Sequence, residues 1–380
     1  MIIALALASC AGLGEAGMAE PRARLSAVEA ASGSNRAGFA HASAPRPFVF
    51  PRDHGPHTEY ATEWWYYTGN LDADDGRHFG FQLTFFRSAL VSETLERVSD
   101  WAATNIYMAH FTVTDVSGGQ FRAFDRFSRG AAGLAGASGA PYRVWLDNWS
   151  AEGGGPEGMT MRLRAAQDDA AIDLALASER APMLQGDRGL SQKGATPGNA
   201  SYYYSLTRMA TQGTIELGGR RYDVRGLSWM DHEFGTSALE QGAAGWDWFG
   251  LQLDDGHDLA YARIRNADGS AGLALGGLFA PDGSKRDLAA DEITLEVLGT
   301  WRSPRSGVEY PSGWRLHAPS AGIDLRITPW LDDQELPLAV LYWEGAVKVD
   351  GTVDGRSIVG NGYVELTGYT EGGPGAIQVR

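Results

Sequence analysis

Phe79, Phe81, Leu83 and Phe85 alternate with Gly80, Gln82 and Thr84, and this period of two predicts a half-buried strand. Trp64-Trp65-Tyr66-Tyr67-Thr68-Gly69-Asn70-Leu71 precedes it and runs into Asp72-Ala73-Asp74-Asp75-Gly76, which has the turn chemistry of a hairpin. Ile106 to Asp115 alternates in the same way, placing His110 on the face of Ile106 and Met108. Trp145 to Ser150, Met159 to Arg164 and Ile172 to Leu176 read as further short strands. In the second half the strands predicted are Leu273 to Phe279, Ile293 to Trp301, Gly313 to His317, Ile323 to Thr328, Tyr342 to Val349 and Ile358 to Leu366, with Asp282-Gly283 and Asp350-Gly351 as turns. Helical spacing is scarce, Asp287 to Val297 being its best stretch. Many short strands separated by Gly and Asp predict an all-β sandwich or barrel.

The pattern repeats. Trp64, Tyr66, Tyr67 and Leu71 correspond to Trp246, Trp248, Phe249 and Leu253, and both segments pass through Asp-Asp-Gly before a strand. Realigned on Gly76 and Gly256, with one residue lost from the second turn, Phe79 and Phe81 match Leu259 and Tyr261. Two copies of one hairpin in 380 residues imply two related domains, expected at 51–236 and 237–380.

The first 50 residues differ. Met1 to Ala8 is apolar, and Leu7-Ala8-Ser9-Cys10 reads as the box at which bacterial lipoproteins are cleaved and acylated, so 1–20 is taken as the signal and lipobox segment. The stretch lacks a basic leading region, and plain secretion is the alternative. Ala, Gly, Ser, Arg and Pro without sustained periodicity make 21–50 a flexible tether. Cys10 is the only cysteine, which excludes an internal disulfide and a Cys-rich metal site. No later run approaches the length of a membrane span. The expectation is a periplasmic body held at the membrane by lipid. A formal net charge of -15 disfavours nucleic acid as a partner.

Gln185-Gly-Asp-Arg-Gly-Leu-Ser-Gln-Lys-Gly194, between the halves, reads as a loop forming a lid or a domain seam. Neither Gly226-Leu-Ser228-Trp-Met230 nor Gly235-Thr-Ser237-Ala-Leu239 closes a nucleophile elbow, and there is no His-Glu-x-x-His, phosphate loop or dinucleotide fingerprint. The unusual chemistry lies between Gly226 and Arg265, where Trp229, Trp246 and Trp248 accompany Asp231, His232, Glu233 and Asp247. In an extended chain Trp229, Asp231 and Glu233 share one face, and Met230, His232 and Phe234 the other. That alternation turns His232 away from both acids and argues against a metal site with His110. Taken singly, these residues are also compatible with a turn cap, a core histidine and core-filling tryptophans. Taken together they suit acid and base chemistry in an aromatic pocket. Tryptophan walls raise a carboxyl pKa, and their π-faces spread the charge of a carbocation formed by protonating an alkene.

Glu63-Trp-Trp-Tyr66, 185–194, Asn199 to Ser205, Trp229-Met-Asp-His-Glu-Phe-Gly235 and Trp246-Asp-Trp-Phe-Gly250, in that order, resemble the bacterial carotenoid 1,2-hydratase (hydroxyneurosporene synthase) superfamily. The resemblance is closer to its lipocalin-like secreted branch, described as predicted hydrolases associated with ABC exporters, and covers Arg52 to the C-terminus. It implies two lipocalin-like β-barrels in tandem and addition of water to an isoprenoid double bond without a cofactor. It further implies an essential histidine at His232, with Phe234 where those hydratases carry tryptophan. A later Tyr-x-Asp of those enzymes falls at Tyr261-Ala262-Arg263, a cation replacing the acid.

The expected site therefore comprises His232, Asp231, Glu233 and Asp247 as catalytic groups. Trp229, Trp246, Trp248, Tyr261, Trp64, Tyr66 and His110 are expected as ligand-binding residues. Cys10 is the lipidation site, and no metal is expected. The ligand is a hydrophobic, isoprenoid- or lipid-like molecule. A non-catalytic lipid carrier working with an ABC exporter is the competing reading, and it predicts that Arg188, Arg263 or Lys193 pairs off the acids.

Overall fold

The computed structural model describes residues 37–92, 99, 101–155, 158–236, 239, 242–268 and 270–369. Cys10, the expected signal segment and residues 21–36 of the expected tether lie outside the described residues. The described chain is all-β, as expected, with two large antiparallel sheets that follow one another in sequence. The first is nearly closed into a barrel. It runs from Gln120–Arg129 through Asn105–Asp115, His78–Ala89, Thr62–Ala73, Arg220–Gly235, Ala200–Leu217, Ala170–Ser178, Thr160–Gln167, Trp149–Gly154 and Tyr142–Leu146 to Ala135–Gly139. The second centres on Asp258–Asn266, Ala243–Leu253, Arg356–Leu366, Leu341–Val353 and Ile323–Pro329.

Alternation assigns the faces. In the first barrel Trp65, Tyr67, Phe79, Phe81, Leu83, Phe85 and Met230 point inward, and in the second Phe249, Leu251, Trp314, Trp343 and Val364 do so. The residues between them, Tyr66, Gln82, His110 and Asp231 in the first barrel and Trp248, Glu344, Tyr363 and Glu365 in the second, then lie on outer faces. They are nonetheless buried or nearly so, because the two outer faces pack on each other. Burying polar side chains costs several kcal/mol unless they find partners, and here the partners come from the opposite barrel. Asn70 Nδ2 donates to the carbonyl of Gly362 at 3.0 Å, and Gln252 Nε2 donates to that of Ser228 at 3.1 Å. The ladders make Asn70 equivalent to Gln252 and Ser228 to Gly362, since Gly69 pairs with Ser228 and Leu251 with Gly362. One bond is the image of the other, so the barrels meet about an approximate two-fold axis, as copies do in a symmetric dimer. Asp258 fixes the rim, accepting from Arg180 at 2.8 Å and Arg208 at 2.6 Å.

Several local expectations change. Trp145 to Ser150 is a tight hairpin rather than one strand, because Asp147 takes the left-handed conformation (φ 53°) that Asp tolerates. Asp287 to Val297 contains no α-helix but a strand end, the 3-10 turn Ala290–Glu292 and the strand Thr294–Val297. Asp350-Gly351 continues the strand Leu341–Val353, and the turn comes at Asp354-Gly355. The repeat holds with a shifted return strand. Gly69 pairs with Phe81 and Leu251 with Leu259, so Leu259 matches Phe81, and Tyr261 matches Leu83. The end of the expected tether is packed down: Phe39 and Ala42 are buried, and Phe48 stacks about Tyr202 and Phe234. Within 185–194, Leu190–Gln192 pairs with the strand Ala200–Leu217.

Candidate active site

The residues expected to act together divide among three places. His232 points into the first barrel, toward the end closed by residues 39–60. Its Nε2 lies 2.9 Å from Glu63 Oε1, and its Nδ1 lies 3.0 Å from the Tyr204 hydroxyl. Glu63 also accepts from His57 Nδ1 at 2.9 Å and from Arg87 Nε at 3.0 Å, and all of these groups are buried. Burial pushes Glu63 up, but the Arg87 charge and the two histidine bonds prevail and hold it well below the usual carboxylate range. Burial likewise pushes His232 down against the Glu63 bond, so its imidazole is neutral at physiological pH. His57, Glu63 and His232 bring three ligand atoms within 4.8 Å of one another, and could hold a metal by donor type. The Arg87 guanidinium on Glu63, and Arg46 at 3.2 Å from His57 Nε2, already supply the positive charge a dication would bring. The donor set fits a closed hydrogen-bond network instead.

Asp247 points into the second barrel, where it accepts from Arg263 at 2.8 Å and Arg265 at 2.9 Å, and Tyr261 packs in the same core. Glu233 stands at the edge of the inter-barrel seam, 2.6 Å from Lys193 and 2.5 Å from Ser201 Oγ.

Asp231, Trp229, Trp246, Trp248, Trp64, Tyr66 and His110 converge between the barrels. Ladder register sets them in two facing rows. His110, Thr84, Tyr66, Asp231 and Ser205 cross five strands of the first barrel, and Ala262, Trp248, Glu365 and Glu344 cross four of the second. Trp248 lies edge-on to both Tyr66 and Trp229, with ring centroids 5.2 and 5.8 Å apart. It lies over Gly250, where any Cβ would collide with the indole.

Three carboxyls sit among these rings without a cationic partner among the described residues. Asp231 accepts from Tyr203 and Trp229, at 2.6 and 2.7 Å, and from Ser205, yet burial outweighs these donors and pushes it up to about 7. Glu365 is pushed up to about 8 by burial, against its single donor, the Trp246 indole at 2.9 Å. Glu344 is raised well above the usual carboxylate range, by burial and then by the Glu365 charge, which favours its neutral acid form. Its Oε1 accepts from Tyr66 at 2.7 Å, while Oε2 is buried with no hydrogen-bond partner among the described residues.

More unsatisfied groups lie along the same seam. Gln82 Nε2 donates to the Tyr342 hydroxyl at 3.0 Å, and that hydroxyl lies 2.7 Å from His110 Nδ1. His110, pushed down to about 4 by burial, is a neutral imidazole whose buried Nε2 meets no hydrogen-bond partner among the described residues. Gln82 Oε1 is likewise unmatched. Buried polar atoms are nearly always paired, so these groups hold hydrogen-bonding capacity that a water molecule or a ligand can take up.

Sequence reasoning did not single out Glu344, Glu365, Tyr342 or Tyr203. Glu344 and Glu365 are acids within apolar strands, Tyr342-Trp-Glu-Gly345 and Val364-Glu-Leu366, and that was their available signal.

A double-barrel β-protein whose two outer faces enclose uncompensated carboxyls and aromatic rings is the class that fold and site define. Within it, the chain belongs to the AttH-like family, whose pattern matches residues 41–369. It is similar to an AttH-type protein of Nitrosomonas europaea of solved structure, at 34% identity over 87% of this chain and 100% of that one, with a TM-score of 0.78. The fold is shared with kievitone hydratase from Nectria haematococca, at 14% identity over 88% and 98% of the two chains and a TM-score of 0.67. It is also shared with CghA in complex with Sch210972, at 13% identity over 89% and 98% and a TM-score of 0.52. No curated protein matches the chain significantly. The resemblance to the carotenoid-hydratase superfamily is consistent with this membership.

Proposed function

We propose that the chain is a hydratase-type enzyme that adds water to, or removes it from, an unsaturated isoprenoid- or lipid-like molecule held between the barrels. The observation that carries the reading is the Glu344 carboxyl among Tyr66, Tyr342 and Trp248, buried, favoured in its neutral form and with Oε2 unpartnered among the described residues. In hydration its proton passes to one alkene carbon, and the positive charge forms beside the Trp248 and Trp229 π-faces. Water adds to that cation and surrenders a proton to the Glu344 carboxylate, restoring the acid. Asp231, at about 7, is the second proton carrier. Kievitone hydratase, by its name a hydratase on the same fold, lends support. The body works in the periplasm, anchored through Cys10 or, alternatively, secreted in soluble form.

The competing reading is a lipid carrier serving an ABC exporter. It is favoured by the Lys193–Glu233 and Arg263–Asp247 pairs, which neutralise two of the expected acids. The test is extraction of ligand from protein purified from its host, followed by incubation of that ligand with the protein in heavy-oxygen water. Hydration predicts label in the product with the parent protein and none with Glu344→Gln. Retained lipid without turnover leaves the carrier.

A further inference from the structure

Nine large apolar side chains are exposed among the described residues, and four of them lie in or beside one strand-to-strand connection of the first barrel. Leu90 (45% exposed) and Trp101 (64%) lie in the connection between His78–Ala89 and Asn105–Asp115, Ile106 (39%) lies near the start of Asn105–Asp115, and Phe127 (49%) lies on the neighbouring strand Gln120–Arg129. Leu90 N donates to Thr104 O, three residues after Trp101, and Met108 pairs with Phe127 just inward of the Ile106–Arg129 pair, so Leu90, Ile106 and Phe127 share this end of the barrel and Trp101 lies in the connection beside it. Behind them runs an apolar row, Trp64, Phe86, Met108 and Phe127, across four strands. The next row inward carries Tyr66 and His110, so the corner is continuous with the inter-barrel seam. Scattered exposed apolar residues need no explanation, but a cluster rimmed by polar groups marks a contact surface.

We propose that this corner docks on a lipid bilayer. The chain itself argues for that occupant. Its described part begins beside the patch, with Gly38 packed so closely on Ser92 that any Cβ would strike the serine side chain. Whatever holds the preceding residues therefore holds this corner, and Cys10, the expected lipidation site, lies 27 residues before residue 37 (37 − 10). A chain of that length reaches at most about 95 Å fully extended, and it pulls this corner, rather than the opposite end, toward the anchor. The exposed apolar groups come from the connection after His78–Ala89 and from two adjacent strands, beside Arg129. With a net charge of -15 the body is repelled by anionic surfaces, so docking is driven by apolar insertion and resists salt. The inference stands whether or not the buried acids catalyse anything.

The experiment is flotation of the full chain, with Cys10→Ser to remove acylation, on phosphatidylcholine vesicles containing a minor fraction of phosphatidylglycerol. Parent protein floats, and still floats in about 0.5 M salt. Trp101→Ser/Phe127→Ser lowers the bound fraction by about tenfold or more. Val359→Ser, which alters an exposed side chain on the second barrel, leaves binding unchanged. Brominated lipid quenches the parent more than Trp101→Phe. Equal melting temperatures show that the double variant is folded. A parent that does not float, flotation abolished by salt, or a double variant that floats like the parent overturns the proposal. So does a dimer in solution that the double variant alone dissolves, because the occupant is then a second copy.

Discussion

Asp231 and Glu365 occupy the same ladder position in the two barrels, Asp231 opposite Tyr66 and Glu365 opposite Trp248, its equivalent 182 residues on (248 − 66). Each accepts an indole N–H from the tryptophan flanking it on the outer face, Trp229 or Trp246. Duplication has thus set two carboxyls at the axis, and neither has a cationic partner among the described residues. Both are raised, to about 7 and about 8, so between the unfolded pKa near 4 and those values the native state binds protons that the unfolded chain has released. Stability therefore falls as pH rises through that window, by up to about 1.4 kcal/mol per carboxyl for each pH unit crossed. Glu365→Gln is expected to raise the melting temperature near pH 8 and to leave it nearly unchanged near pH 4, in thermal scans across about pH 4 to 9.

Glu344 differs from Asp231 in having an oxygen without a hydrogen-bond partner among the described residues, and from Glu365 in that this oxygen is fully buried. Glu344→Gln keeps the Tyr66 bond and the shape but has no transferable proton, so turnover is expected to drop by about 10²–10⁴-fold with ligand retention intact. Parallel measurement of labelled product and of bound ligand by native mass spectrometry checks this. In the parent, turnover is expected to decline as pH rises past about 7 to 8, where Asp231 and Glu365 ionise and further charge accumulates beside the site.

His232 and Glu63 serve the closed end of the first barrel, and their variants should report on stability first. Removing one partner of a buried ion pair leaves a charge unpaired, and Arg87→Met is expected to cost about 3–5 kcal/mol in denaturant unfolding. The depressed Glu63 pKa contributes stability above its unfolded value near 4.5, and that contribution is lost as pH falls toward the lower folded value. Parent protein should accordingly lose stability in acid more steeply than Arg87→Met. His232→Ala should lower the melting temperature, with any loss of turnover following the loss of folded protein.

The strands and the duplicated hairpin were legible because period two and Asp-Gly turns are local signals, and so was the separation of His232 from Asp231 and Glu233 by alternation. The grouping of the acids was not. Alternation says which residues share a face but is silent on whether that face meets water, and here the outer faces meet each other. Asp247 shares a tripeptide with Trp246 and Trp248 yet points into the second core, onto Arg263 and Arg265. Glu344 and Glu365 lie far along the chain from Asp231, and only the packing of two barrels brings them near. The hairpin at Asp147 escaped notice because Asp-Asn lacks the glycine that usually marks so tight a turn.

Gly80 lies where the second barrel leaves no room for a side chain, and its substitution tests whether the seam is a rigid site. A Cβ there would lie 2.7 Å from Ala346 Cβ and 2.9 Å from the Tyr363 hydroxyl, with Thr114 at 3.3 Å behind it. Neither Ala346 nor the strand that carries it can retreat, since Asn70, Gln252 and Asp258 tie the barrels on either side. Overpacking of this kind costs about 1–3 kcal/mol, and it would relax by parting the outer faces at the Tyr66–Glu344 bond. Gly80→Ala is therefore expected to lower the unfolding free energy by that amount and to admit water to Glu344, whose neutrality depends on burial. Glu344 should then ionise at lower pH. The decline of turnover with pH should shift to lower values in Gly80→Ala, while Gly76→Ala, at a turn with open space around its Cβ, should cost stability through its positive φ and leave the pH profile in place.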